Sequence, residues 1–146
     1  MNLSRILVFI SASLLVSVAA ADNDITISQA WARATAPGQA VGAAYMTLQS
    51  PADSTLVKVE SPAAGSVEIH SMTMKDGVMK MRMLDTLALP ANKPAKLEPG
   101  GFHLMLFELK QPLKAGESVQ FTLYFKDSAG KTSTSSVSAP VKTSAN

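Results

Sequence analysis

The chain has 146 residues, with 13 basic and 11 acidic side chains, two histidines and no cysteine. A net charge of +2 leaves no electrostatic footprint for nucleic acid. Without cysteine there can be no disulfide staple, no thiolate-ligated blue-copper centre and no cysteine nucleophile.

Met1 to Ala21 reads as an export signal. Arg5 supplies a short positive region, Ile6 to Val18 an apolar core of 13 residues, and Ala19-Ala20-Ala21 the small residues of a cleavage site. Cleavage is expected after Ala20 or Ala21. The apolar core falls short of the ~20 residues that span a bilayer, so no stable membrane insertion is expected after cleavage. Residues 22–146 then form one domain of 12 basic and 11 acidic groups, net +1. About 125 residues can bury roughly two thirds of their unfolded surface, enough for the apo chain to fold without a metal.

Ile25 to Arg33 begins with strand alternation, and Ala34 to Gly42 reads as a loop marked by Pro37 and Gly38. Ala43 to Gln49 and Thr55 to Glu60 are further strands, separated by a turn at Ser50 to Asp53 and closed by Ser61 to Gly65. Trp31 and Tyr45 could border a functional site, although such aromatics more commonly fill a sandwich core. Val67 to Ser71 and Val78 to Met83 flank a connection, Met72 to Gly77, whose Asp76-Gly77 favours a tight hairpin turn. Leu87 to Leu89 is short, and Ala91 to Gly101 is largely connection. Phe102 to Leu109 is an apolar strand. Val119 to Phe125 alternates cleanly, and Thr132 to Val141 is a polar last strand expected at a sheet edge. A short C-terminal tail is expected to be disordered. Many short strands at turn-marked spacing, with no helical periodicity, predict an all-β, antiparallel sandwich. The long connection before Phe102 suits Greek-key crossing better than a meander.

Both histidines and six of the eight methionines lie between His70 and Met105. Thioether sulfur is soft and neutral and suits Cu(I), imidazole suits copper generally, and hard cations would want oxygen. His103 and Met105 form a His-x-Met triplet within a strand, where residues two apart share a face at about 7 Å. Met79, Met81 and Met83 alternate likewise, with Lys80 and Arg82 on the other face. The candidate ligands are His70, Met81, His103 and Met105, holding one Cu(I) per chain. Methionine is also a good core filler, so Met72, Met74, Met79 and Met83 stay open between packing and ligation. Lys75, Lys80 and Arg82 could dock an acidic partner, but a solvated hairpin face is the ordinary role of such residues. Imidazole must be deprotonated to ligate, so affinity should weaken below about pH 6.5, the reference histidine value. No Gly-x-Ser-x-Gly elbow or triad spacing is present, so no enzyme is expected.

His70, ten residues, Met81, twenty-one residues, His103, one residue, Met105 resembles the metal motif of the periplasmic PCu(A)C copper chaperones. The surrounding segments Gly77 to Arg82 and Pro99 to Met105 are similar to that family too, as are Ala30-Trp31-Ala32-Arg33 and Ala43-Ala44-Tyr45-Met46. The resemblance spans about Ile25 to Val141. It implies a cupredoxin-like sandwich that delivers Cu(I) in the periplasm, for this family to the dinuclear copper centre of cytochrome c oxidase. Subunit II of the oxidase, or another copper carrier, is the expected partner, and a monomer the expected state. Copper sequestration without a dedicated acceptor is the alternative. Some relatives carry a methionine- and histidine-rich tail that adds a Cu(II) site; Lys142 to Asn146 has no such ligands.

Overall fold

A computed structural model describes residues 24–145. The expected export signal lies outside the described residues. Ten strands and no helix are present among them: β1 (Thr26–Arg33), β2 (Gly42–Gln49), β3 (Ser54–Glu60), β4 (Ala64–Lys75), β5 (Val78–Leu84), β6 (Leu87–Leu89), β7 (Ala95–Leu97), β8 (His103–Leu109), β9 (Ser118–Asp127) and β10 (Thr132–Lys142). Two layers result. The first runs β5-β4-β8-β2-β1, with β7 also pairing β2; the second runs β10-β9-β3-β6. All pairings are antiparallel except β1 with β10, which joins the layers. The chain crosses between layers repeatedly, so neighbours such as β2 and β8 are distant in sequence, as Greek-key crossing requires.

Alternation builds the core. Leu56, Phe121, Leu123 and Phe125 of the second layer face Ala44, Met46, Leu48, Ile69, Leu104 and Leu106 of the first, all buried in one apolar cluster. Every second residue of the first layer therefore points away from the core. That outward face carries the chemistry.

Four sequence expectations change. The connection at Met72 to Gly77 contracts to two residues. Asp76 and Gly77 both take positive φ, 53° and 74°, the geometry of a type I′ hairpin turn, and β4 pairs with β5 as far as Lys75–Val78. Met72 and Met74 are thus strand residues. The connection Ala91 to Gly101 contains β7, a three-residue strand on β2. β10 is not an edge strand at its C-terminal end, where Ala32 and Arg33 of β1 pair with Val141 and Lys142. Thr132, Thr134, Ser136 and Ser138 mark a solvent face, while Ala139 and Val141 on the other face are buried. Finally, Trp31 and Tyr45 do not fill the core. They stack on each other at 4.7 Å, beneath the Arg33 guanidinium, on the outward face opposite Ala32 and Ala44.

Candidate metal centre

Register decides which side chains meet. In β4 and β8, His70 pairs with His103 and Glu68 with Met105. In β4 and β5, His70 pairs with Met83 and Met72 with Met81. Directly paired residues share a face, and so do residues two apart on one strand. His70, Met81, His103 and Met105 therefore all project from the outward face of the three-stranded segment β5-β4-β8. Met105 and Met81 sit diagonally on either side of His70, and diagonal neighbours at about 7–8 Å lie within reach of long side chains. Met83, directly across from His70, shares the face. Continuing the β2–β8 register by one residue from Ala44–Leu104 sets Tyr45 across from His103.

The strands hold the histidines rigidly because the alternate residues are anchored. Leu104 and Leu106 bracket Met105 and are fully buried in the core, and Ile69 does the same beside His70. The turn before β8 needs Gly100, whose φ of 86° suits only glycine. It presents the Gly101 carbonyl to two donors: the Met72 amide at 3.1 Å and the His103 ring at 3.0 Å.

These contacts assign the ring nitrogens. A carbonyl oxygen only accepts, so Nδ1 of His103 carries the proton and Nε2 keeps the lone pair. A carboxylate also only accepts. Nε2 of His70 lies 2.7 Å from the Glu68 carboxylate, so it donates there and Nδ1 keeps the lone pair. Nδ1 of His70 is buried with no hydrogen-bond partner among the described residues. An orphaned buried acceptor is costly unless something binds it. Both histidines are themselves buried, at 8% and 4% exposure, and their ring centroids lie 5.7 Å apart. A metal bonded to one nitrogen of a ring lies roughly 3.2 Å from its centroid, taking a bond of about 2.0 Å. Two rings at 5.7 Å are therefore compatible with one shared ion.

The thioethers sit differently. Met81 is 48% exposed and Met83 53%, whereas Met105 is half-buried. No three of His, Cys, Asp and Glu converge among the described residues, and the side chains that share the outward face with the two imidazoles are thioethers. Two imidazoles with neutral thioethers suit Cu(I) rather than a hard cation. The groove of about 500 Å³ lined by Lys58, Glu60, Ser66 and Thr122 includes none of these side chains.

Glu68, which holds the His70 ring, is the contact that motif spacing did not bring out. Its signal was its position two residues before His70, on the same strand face.

Residues 25–141 match a family model described as "Putative lipoprotein LpqE-like". The chain belongs to that family. It is the family of the PCuAC domains, and the fold agrees. The copper-bound PCuAC domain from PmoF2 superposes with a TM-score of 0.65 at 24% identity, over 82% of this chain and 93% of that one. DR1885 from Deinococcus radiodurans, solved in its Cu(I) form, gives a TM-score of 0.56 at 37% identity, over 80% and 76%. A cupredoxin-like sandwich is thereby established. Among sequence relatives, "Putative lipoprotein Lxx21020" of Leifsonia xyli is 35% identical over 82% of this chain and 70% of its own length. The uncharacterised RP573 of Rickettsia prowazekii is 32% identical over 76% of this chain and 65% of its own length.

Proposed function

We propose that this PCuAC member is an exported Cu(I) metallochaperone that binds one ion through His70, Met81, His103 and Met105. The family consists of copper-binding chaperone domains rather than enzymes. The observation that carries the ligand set is the buried histidine pair, 5.7 Å apart, with His70 Nδ1 left unpaired on a face otherwise rich in thioethers. The Cu(I) form of DR1885, at 37% identity, supports the choice of ion. Residues 1–21 act as the export signal and residues 22–146 as the periplasmic, monomeric domain, in keeping with relatives named as lipoproteins. The acceptor is an extracytoplasmic copper protein, cytochrome c oxidase subunit II or a carrier that precedes it.

The geometry suits exchange. The imidazoles are buried and locked by hydrogen bonds, so they form the fixed floor of the site. Met81 is half exposed and has three rotatable side-chain bonds, so it is the ligand that can swing away. An incoming acceptor ligand can then bond to copper before the histidines let go. Transfer from loaded protein to a higher-affinity acceptor should accelerate with acceptor concentration in stopped-flow mixing. A rate independent of acceptor and equal to the spontaneous off-rate would leave sequestration as the better reading.

Glu68 should tune the site without binding copper. Groups that orient a ligating histidine through its other ring nitrogen typically contribute 10- to 100-fold in metal affinity. Glu68→Leu removes the acceptor that holds the His70 proton on Nε2 and should weaken Cu(I) binding by about that factor. Glu68→Gln retains an acceptor oxygen and should recover most of the loss. Competition with a chromophoric Cu(I) chelator measures both, and equal affinities for the Leu and Gln variants would refute the positioning role.

A further inference from the structure

Beyond His70 the β4–β5 hairpin leaves the sandwich. β8 begins at His103, so from Thr73 to Lys80 the two strands have only each other as partners. One face of this arm carries a single residue type. Met74 pairs with Met79 and Met72 with Met81, and Met83 follows across from His70. Core packing does not account for them: Met74 is 67% exposed, Met79, Met81 and Met83 lie between 48% and 53%, and Met72 is half-buried but outside the core cluster. Among the described residues, the one methionine buried in the core, Met46, lies elsewhere. A surface needed only for its apolarity would be better built from valine or isoleucine, which suit strands and lose less freedom there. What methionine alone supplies is sulfur.

We propose that Met72, Met74 and Met79 form a second, weaker Cu(I) site at the tip of the arm, feeding the histidine centre through Met81. This rests on the Cu(I) reading above. The geometry is suitable: directly paired residues have Cβ atoms about 5 Å apart and diagonal ones about 7 Å, and flexible side chains can bring three sulfurs to one ion. Three neutral thioethers suit Cu(I) and reject harder ions. Lacking imidazole, the tip site holds copper less tightly than the centre, so the ion runs inward along the ladder. Each step forms one Cu–S or Cu–N bond as another Cu–S bond breaks. Copper stays Cu(I), and no proton or electron moves. The rungs recur at about 7 Å, the two-residue repeat of a strand, so successive sites can share a bridging sulfur. The other face of the arm, with Lys75, Lys80 and Arg82, takes no part.

Anaerobic Cu(I) titration of the protein labelled with ¹³C at its methionine methyls tests this. The first equivalent should shift Met81 and Met105, and a second, weaker one Met72, Met74 and Met79. Met74→Leu with Met79→Leu keeps the apolar surface and removes two sulfurs; it should abolish the second equivalent and leave the first intact. A single equivalent in the native protein, or a second that survives the double substitution, would overturn the tip site. Failure of the histidine centre would look different: His103→Ala would then leave the first equivalent unchanged.

Discussion

His103→Ala should weaken Cu(I) binding by roughly two to three orders of magnitude while leaving the protein folded. Four-ligand structural zinc sites carry apparent binding energies of about 10–16 kcal/mol, and on that scale one ligand accounts for roughly 3–4 kcal/mol. At about 1.4 kcal/mol per factor of ten, that is a 100- to 1,000-fold loss. The fold should survive because His103 lies on the outward face and is no member of the buried apolar cluster. The Gly101 carbonyl keeps the Met72 amide as a donor when the imidazole is gone. Chelator competition gives the affinity, and circular dichroism checks the fold. A loss below about tenfold would show that His103 is not a ligand. Met83→Leu is the informative companion. Met83 lies directly across from His70, yet the motif spacing selects Met81. A larger loss at Met83 than at Met81 would move the thioether ligand one rung along β5.

Leu104→Ala should do the reverse. Leu104 is fully buried between His103 and Met105, on the opposite face of the same strand. Truncating a buried leucine typically costs 2–5 kcal/mol in transfer and cavity terms. For a domain of this size, about 3 kcal/mol corresponds to a fall in Tm of roughly 10–15 °C. Below its melting temperature the variant should still bind Cu(I) with near-native affinity, since no ligand has been touched. Calorimetric melting of the apo protein and chelator competition separate the two effects. A melt within a few degrees of the parent would mean that the core does not depend on Leu104, and that β8 is anchored in some other way.

Strand positions were legible wherever one face is apolar and the other polar. Val119 to Phe125 shows this most clearly, since alternation follows directly from burial of one face. Legibility failed where alternation does not report burial. β4 runs on through Ser71, Met72, Thr73 and Met74, half-buried or exposed on both faces, so no core pattern marks its end and only the Asp76-Gly77 turn does. β10 is rich in serine and threonine on its solvent face, which mimics an edge; its pairing with β1 joins residues 109 positions apart and depends on where that strand comes to rest. Trp31 and Tyr45 looked like core because they are large and apolar. They are buried instead against each other on the outward face, a placement set by the parity of β1 beyond its irregularity between Ser28 and Trp31.

By itself, the sequence determined the donor chemistry: two imidazoles, a surplus of thioethers and no thiol, spaced as in the PCu(A)C motif. Those properties belong to residue types and intervals, which the chain states outright. Tertiary structure alone decided that His70 lies across from His103, that Glu68 and the Gly101 carbonyl fix which ring nitrogens keep lone pairs, and that the arm's methionines share a face with them. The physical reason is register. A one-residue slip between β4 and β8 would turn one of the histidines to the far side of the sheet, and that alignment is set by burying Ile69, Leu104 and Leu106 in a core shared with strands far away in sequence.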